Sequence, residues 1–166
     1  MKMVLRQWIK EDIESLAKLA NNKNIAGNMS DRFPFPYTLK DAEEWITLNE
    51  NKNPAANFAI EADGELAGGC GIMMMKDVYR CSAEIGYWIA EPFWGKGVAT
   101  EAVKLLPKEI RANYPEIIRV FAKPFSYNKA SMKVLEKNGF HLESIRKKAV
   151  IKNNIVMDDY VWVKLL

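Results

Sequence analysis

The stretch Glu91–Val103, "EPFWGKGVATEAV", decides how the chain is read. Gly95 and Gly97 stand two residues apart, and the residues after them read as a helix. Glycine is needed where a backbone turns tightly or comes close to something. Before it, "CSAEIGYWIA" is strand-like and ends at Glu91-Pro92. The order is therefore strand, glycine turn, helix. The first turn of a helix leaves amides unpaired and carries the positive end of the dipole, so phosphate is the natural ligand. The stretch is not a Walker P-loop, because Lys96 is followed by Gly97. It is not a GxGxxG fingerprint either. Thr100 stands at the third glycine position, and the strand follows a hairpin rather than opening a βαβ unit. Taken alone, the spacing fits a turn without a ligand better.

Working outward, the chain alternates between elements. "MVLRQW" alternates like a strand, and Ile13, Leu16, Ala17 and Ala20 have helical spacing. "DRFPFPY" is a proline-stiffened loop. "TLKDAEEWITLNE" opens with Thr38 and Asp41, a capping-box-like start. "NFAIEA", Asp63-Gly64 and "ELAGGCGIMMM" form a hairpin. The helix after the glycines runs from about Val98 to Asn113, and Pro107 predicts a kink or break in it. "IIRVFAKP" reads as a buried strand. A short helix follows in "NKASMKVLEKNGF", with Asn128 at its start and Gly139 after its end. Two long strands close the chain, near Leu142–Ile151 and Ile155–Leu165, joined at Asn153-Asn154. The expected fold is one α/β (α+β) domain over residues 1–166, with a mixed, mostly antiparallel sheet of about seven strands and about four helices.

Composition narrows the function. A length of 166 residues suits one domain, and 49% hydrophobic and 27% charged residues are ordinary for a globular protein. A net charge of +3 with no basic run argues against a nucleic-acid partner. No apolar run has the length of a membrane span, and no signal-peptide core opens the chain. Cys70 and Cys81 read as reduced, buried thiols, which points to the cytoplasm. The single histidine, His141, speaks against a metal site and reads as structural or solvated. Met73, Met74 and Met75 read as core and pocket filling.

The glycine turn has company. Glu84, Gly86, Tyr87 and Trp88 precede it, and Asn128, Ser131 and Gly139-Phe140 follow about 30 residues later. With "EIGYWIAEPFWGKGVATEA", "NKASMKVLEKNGF" and "FPFPYTLKDAEEWI" in this order, the chain resembles the GNAT acyltransferase superfamily, and within it the ribosomal-protein N-terminal acetyltransferase-like branch. The resemblance implies an N-acetyltransferase that moves acetyl from acetyl-coenzyme A to a primary amine by direct attack in a ternary complex. The acceptor would be a small amine or a protein N-terminus. No metal is implied, and a homodimer stays open.

By the same resemblance, Gly95, Lys96, Gly97, Val98, Ala99 and Thr100 would cradle the coenzyme A pyrophosphate. Trp94 replaces the family's usual Gln or Arg, and Lys96 reads equally as a solvated turn lysine. Backbone groups of Tyr87, Trp88 and Ile89 would pair with pantetheine, and Asn128 would contact the coenzyme or cap its helix. Glu84 is the implied catalytic base, and otherwise a strand glutamate paired with a basic neighbour. Superfamily members commonly place a tyrosine acid seven residues after the motif Asn. Leu135 stands there, so Ser131 is the motif-placed donor to the leaving thiol, with helix starting as its local alternative. Tyr127 is a weaker substitute. Phe33, Phe35 and Tyr37 would border the acceptor pocket. Two other readings compete: a non-catalytic coenzyme A-binding sensor or scaffold, which Leu135 favours, and a generic nucleotide-phosphate binder, which the glycine spacing disfavours.

Overall fold

Alternating apolar residues and two tight turns build most of a seven-stranded sheet. The computed structural model describes residues 1–166. The strands are β1 (Met3–Arg6), β2 (Asn57–Ala62), β3 (Glu65–Met74), β4 (Ser82–Ile89), β5 (Arg119–Ala122), β6 (His141–Lys152) and β7 (Ile155–Leu165). Their order across the sheet is β1-β2-β3-β4-β5-β7-β6. The helices are α1 (Ile13–Ala20), α2 (Lys23–Ala26), α3 (Leu39–Asn49), α4 (Val98–Asn113) and α5 (Lys129–Lys137). By packing, the chain divides into two compact units. The first holds Met1–Gly71 and Tyr87–Ala102, the second Ile72–Gly86 and Val103–Leu166.

In the first unit, β1 and β2 pair antiparallel, as do β2 and β3. Asp63 and Gly64 both have positive φ, 51° and 87°, which is the type I′ geometry expected of an Asp-Gly hairpin. The helical spacing in α1 is borne out: Leu16 and Ala20 are buried, and Ile13 and Ala17 pack at the edge of the same core. That core also holds Trp8, Tyr37, Ala42, Ile46, Ala59 and Leu66. The start of α3 is a capping box. The Asp41 amide donates to Thr38 Oγ1 at 3.2 Å, and the Thr38 amide donates to Asp41 Oδ2 at 2.7 Å. The Thr38 hydroxyl also donates to Asp41 Oδ2 at 2.6 Å, and this bond, followed by that from the Thr38 amide, holds the Asp41 carboxyl below its usual range. The one-turn helix α2, capped by Asn22 accepting from the Asn24 amide, is an addition to the four helices expected. Its single turn is too short to leave a periodic pattern.

Tyr37 is part of this core, and burial pushes its phenol up to about 12, with the Asp41 charge adding to the effect. A phenol whose folded-state pKa is raised keeps its full contribution below the unfolded value near ~10 and loses it as pH rises through about 12. Tyr37→Phe is therefore expected to flatten the fall of melting temperature between pH 10 and about 12. Thermal scans across that window check it; an unchanged slope would assign the alkaline loss to other groups.

"AGGCG" (67–71) has a packing reason that its sequence did not disclose. A Cβ on Gly68 would lie 2.2 Å from the Trp88 carbonyl oxygen. A Cβ on Gly69 would lie 2.8 Å from Trp88 Nε1 and 2.9 Å from Trp8 Cζ2. Two bare backbone positions thus let β4 and two indoles sit directly on β3.

In the second unit, β4 and β5 pair in parallel over Ser82–Glu84 and Arg119–Phe121. β5 pairs antiparallel with β7, and β7 with β6. Asn153 and Asn154 have φ of 51° and 62°, so the predicted joint is a type I′ turn. The end of α5 is a Schellman motif. The Gly139 amide donates to the Glu136 carbonyl at 3.0 Å and the Phe140 amide to the Leu135 carbonyl at 3.1 Å.

Three readings need correction. β1 ends at Arg6, and Trp8 turns into the core instead. α4 runs unbroken through Pro107, carried by the buried stripe Val98, Ala102, Val103, Leu106 and Ile110. The ring removes one amide donor, and burial of this stripe over a 16-residue helix outweighs it. β5 is buried on one face only: Val120 and Ala122 are inside, while Arg119, Phe121 and Lys123 are half-buried on the other.

Candidate active site

The glycine turn lies in the first unit, where β4 ends. A single 3-10 turn, Glu91–Phe93, follows the strand, and α4 begins at Val98. Gly95 and Gly97 have φ of 73° and 80°, in the left-handed region that side chains with a Cβ rarely adopt. A Cβ on either would meet no protein atom within 4 Å, so the turn faces open space. The first intrahelical bond is from the Glu101 amide to the Gly97 carbonyl, at 3.1 Å. The amides of Val98 and Ala99 precede that bond, at the positive end of a 16-residue helix dipole. The chemistry of this donor set suits an anion.

Trp94 has a structural role at the position where the resemblance implies Gln or Arg. Its indole N–H donates to the Ile89 carbonyl at 2.7 Å, which pins the turn onto the strand end. Lys96 is exposed, with Nζ 5.6 Å from the Phe93 ring centre. Trp88, one position before the strand end, meets the Phe33 ring at 5.9 Å, and Phe33 meets Tyr37 at 5.2 Å. Of the loop residues, Phe35 is exposed, Phe33 half-buried and Tyr37 buried.

Glu84 belongs to the second unit and lines a groove of about 510 Å³ with Met73, Met75, Phe121 and Val161. Its carboxylate is 3.0 Å from Lys123 Nζ, so it has the basic partner that strand glutamates commonly find. Sequence reasoning missed Lys123, Arg119 and Arg146, which line the same groove. The signal for two of them was the alternation in "RVFAK", which sends residues 119, 121 and 123 to one face. Both cations stack on the Phe121 ring, Arg119 at 5.1 Å and Lys123 at 5.9 Å from its centre.

Asn128 caps α5: its Oδ1 accepts from the Ser131 amide at 3.2 Å. Ser131 is half-buried, and Leu135 is fully buried in the core. Tyr127 is half exposed and sits edge-on to Phe125 at 5.9 Å. His141 is exposed, Cys70 buried and Cys81 partly buried, and neither cysteine forms a disulfide. No group of three or more His, Cys, Asp or Glu side chains is gathered to hold a metal. No helix is long and apolar enough to cross a membrane.

The acetyltransferase (GNAT) domain family matches residues 2–141. The chain belongs to the GNAT acetyltransferase family. Among its relatives, the Bacillus subtilis (strain 168) protein YdaF is 34% identical over 99% of this chain and 91% of its own. Among solved structures, the microcin C7 self-immunity acetyltransferase MccE, determined with acetyl-CoA and AMP, superposes with a TM-score of 0.84 at 27% identity, covering 99% of this chain and 93% of that one. The ribosomal-protein acetyltransferase RimL, determined with coenzyme A, has a TM-score of 0.86 at 23% identity, covering 100% and 95%. This likeness confirms the α/β fold and the mostly antiparallel sheet of the GNAT type.

Proposed function

We propose that residues 1–166 form a single N-acetyltransferase domain that moves acetyl from acetyl-CoA to a primary amine, on a small molecule or a protein N-terminus. It would act in the cytoplasm, alone or as a homodimer. The observation that carries the reading is the exposed Gly95–Gly97 turn, left-handed at both glycines and placed at the start of α4. An anion-binding helix start of this kind fits a pyrophosphate. In this reading Gly95 to Thr100 hold the pyrophosphate, with Lys96 adding charge. Backbone groups of Tyr87, Trp88 and Ile89 take the pantetheine arm, and Asn128 contacts the coenzyme from its capping position. Phe33 and Phe35 border the acceptor pocket, with Tyr37 supporting them from the core.

Acetyl-CoA supplies an acetyl group activated as a thioester. Glu84 attracts the acceptor ammonium and takes its proton, leaving the nitrogen lone pair free to attack the carbonyl carbon. The amide of Trp88 or Ile89 donates to the carbonyl oxygen as charge develops there. The carbon–sulfur bond then breaks, the second proton of the nitrogen passes to water, and Ser131 Oγ or a water donates a proton to the sulfur, the serine regaining its own from solvent.

Isothermal titration with coenzyme A, paired with free-thiol release from acetyl-CoA in the presence of amines, tests this reading. Binding without thiol release for any amine would favour a second reading, a non-catalytic coenzyme A-binding module. That reading draws on the Glu84–Lys123 pair and on Leu135 filling the core.

Leaving-group assistance is the small term in this scheme, because a thiol with a pKa near ~8.5 departs readily. Ser131→Ala is expected to cost less turnover than Glu84→Gln. Leu135→Tyr is expected to destabilise the fold by ~1–3 kcal/mol through overpacking, with no gain in rate. Saturating-donor turnover and chemical denaturation of the variants check both. A folded Ser131→Ala variant that lost more activity than Glu84→Gln would make Ser131 the principal catalytic residue.

A further inference from the structure

Two of the three ion pairs around the groove that holds Glu84 turn the cation outward. Arg146 donates through Nε to Asp159 Oδ1 at 2.8 Å and through Nη2 to Asp159 Oδ2. The Asp159 side chain is 3% exposed, and that of Arg146 is 50% exposed. The carboxylate is therefore hidden and the guanidinium faces out. A guanidinium has five N–H donors, and Asp159 engages two of its nitrogens from one side, which leaves the far edge open. The Lys123–Glu84 pair runs the same way, with Lys123 the more exposed partner. In the third pair, Arg119 with Glu143, the carboxylate is the more exposed member. Arg146 and Glu84 line one groove and are close enough for the Glu84 charge to help hold Arg146 protonated.

We infer that the amine acceptor carries a carboxylate, as a free amino acid does, with its ammonium on Glu84 and its carboxylate on the open edge of Arg146. This rests on the acetyltransferase reading above and names the acceptor class for that same site. Arg146 is suited to the task because Asp159 fixes its plane before the ligand arrives, so little side-chain freedom is lost on binding. A planar bidentate contact recognises carboxylate by shape as well as charge. Lys123 serves the same anion as a point charge, and Met73, Met75, Phe121 and Val161 give the groove an apolar floor for the remainder of the acceptor. Polyamines offer nothing to Arg146 and add repulsion.

The test is thiol release from acetyl-CoA by the full chain with three sets of acceptors: free amino acids, the matching amino acid carboxamides, and the polyamines putrescine and spermidine. The carboxamide amine is the less basic, so more of it is unprotonated at neutral pH. A preference for the acid therefore reports recognition rather than reactivity. At least one free amino acid is expected to exceed its carboxamide in kcat/KM by on the order of 10-fold or more, the worth of a charge-assisted hydrogen bond. The double variant Arg146→Gln with Asp159→Asn, which leaves no lone buried charge, is expected to raise KM for that acid on a similar scale. Its KM for the carboxamide should rise by less than its KM for the acid, because a neutral amide loses no charge-assisted bond. Carboxamides or polyamines turned over as well as the acids would overturn the inference and leave the acetyltransferase reading standing. Thiol release with none of the panel, despite acetyl-CoA binding, would also overturn it. Absence of acetyl-CoA binding would defeat the underlying reading. The acceptor comparison uses the unaltered chain, so it decides the matter even where the double variant fails to fold.

Discussion

Glu84→Gln is expected to lower turnover by ~10²–10⁴-fold, the usual worth of a positioned general base, while coenzyme A affinity is unchanged. The substitution keeps the shape of the side chain and a carbonyl oxygen facing Lys123 at 3.0 Å. It removes the one property the chemistry needs, a carboxylate able to hold a proton. The Lys123 partner is part exposed, so the lost ion pair alone accounts for only ~0–1 kcal/mol of stability. The fold should therefore survive, and the loss should appear in kcat. Steady-state kinetics at saturating acetyl-CoA, with calorimetric titration of coenzyme A, separate the two. A variant with full turnover would assign the base to another group or to bulk water.

Gly97→Val is the second large effect, expected in coenzyme A affinity. Each charge-assisted hydrogen bond from a turn amide contributes ~1.5–3 kcal/mol. Losing two of them would weaken binding on the order of 100-fold or more. Space within the protein is not the obstacle, since a Cβ at Gly97 meets nothing within 4 Å. Two other effects act. The φ of 80° strains a β-branched residue, and the side chain projects into the space the ligand would use. Gly97→Asn separates them, because asparagine tolerates left-handed backbone. If Asn restores stability and affinity stays low, approach to the ligand is the decisive factor. Wild-type affinity in Gly97→Val would remove the pyrophosphate from this turn.

The fold was legible where local chemistry dictates geometry. Asp63-Gly64 and Asn153-Asn154 predicted their hairpins, and Thr38 with Asp41 predicted the start of α3. Gly139 predicted the end of α5. The glycine turn was legible for the same reason, as only its backbone matters. The charged groove was not. Arg119 and Lys123 lie on and just after β5, while Arg146 and Asp159 face each other across the later β6–β7 hairpin, and no local pattern announces that the two segments meet. Gly68 and Gly69 were opaque in the same way, since their reason is the Trp88 backbone and indole about 20 residues later. The break offered at Pro107 does not occur, because helix propensity weighs one missing donor and cannot see a buried stripe.

The parallel pairing of β4 with β5 has a consequence for how the chain acquires activity. The β2–β3 and β6–β7 pairs close through two-residue turns, as fast local events. The pairing of Ser82–Glu84 with Arg119–Phe121 must wait for a crossover that contains all of α4. Loop closure of this kind costs entropy before any contact rewards it, and long-range pairing is the slow class of event in folding. Glu84 and the Arg119–Lys123 face of the groove belong to that rung. The groove around Glu84 is thus assembled by a long-range closure and not by a hairpin, so a refolding chain gains its hairpins before this groove.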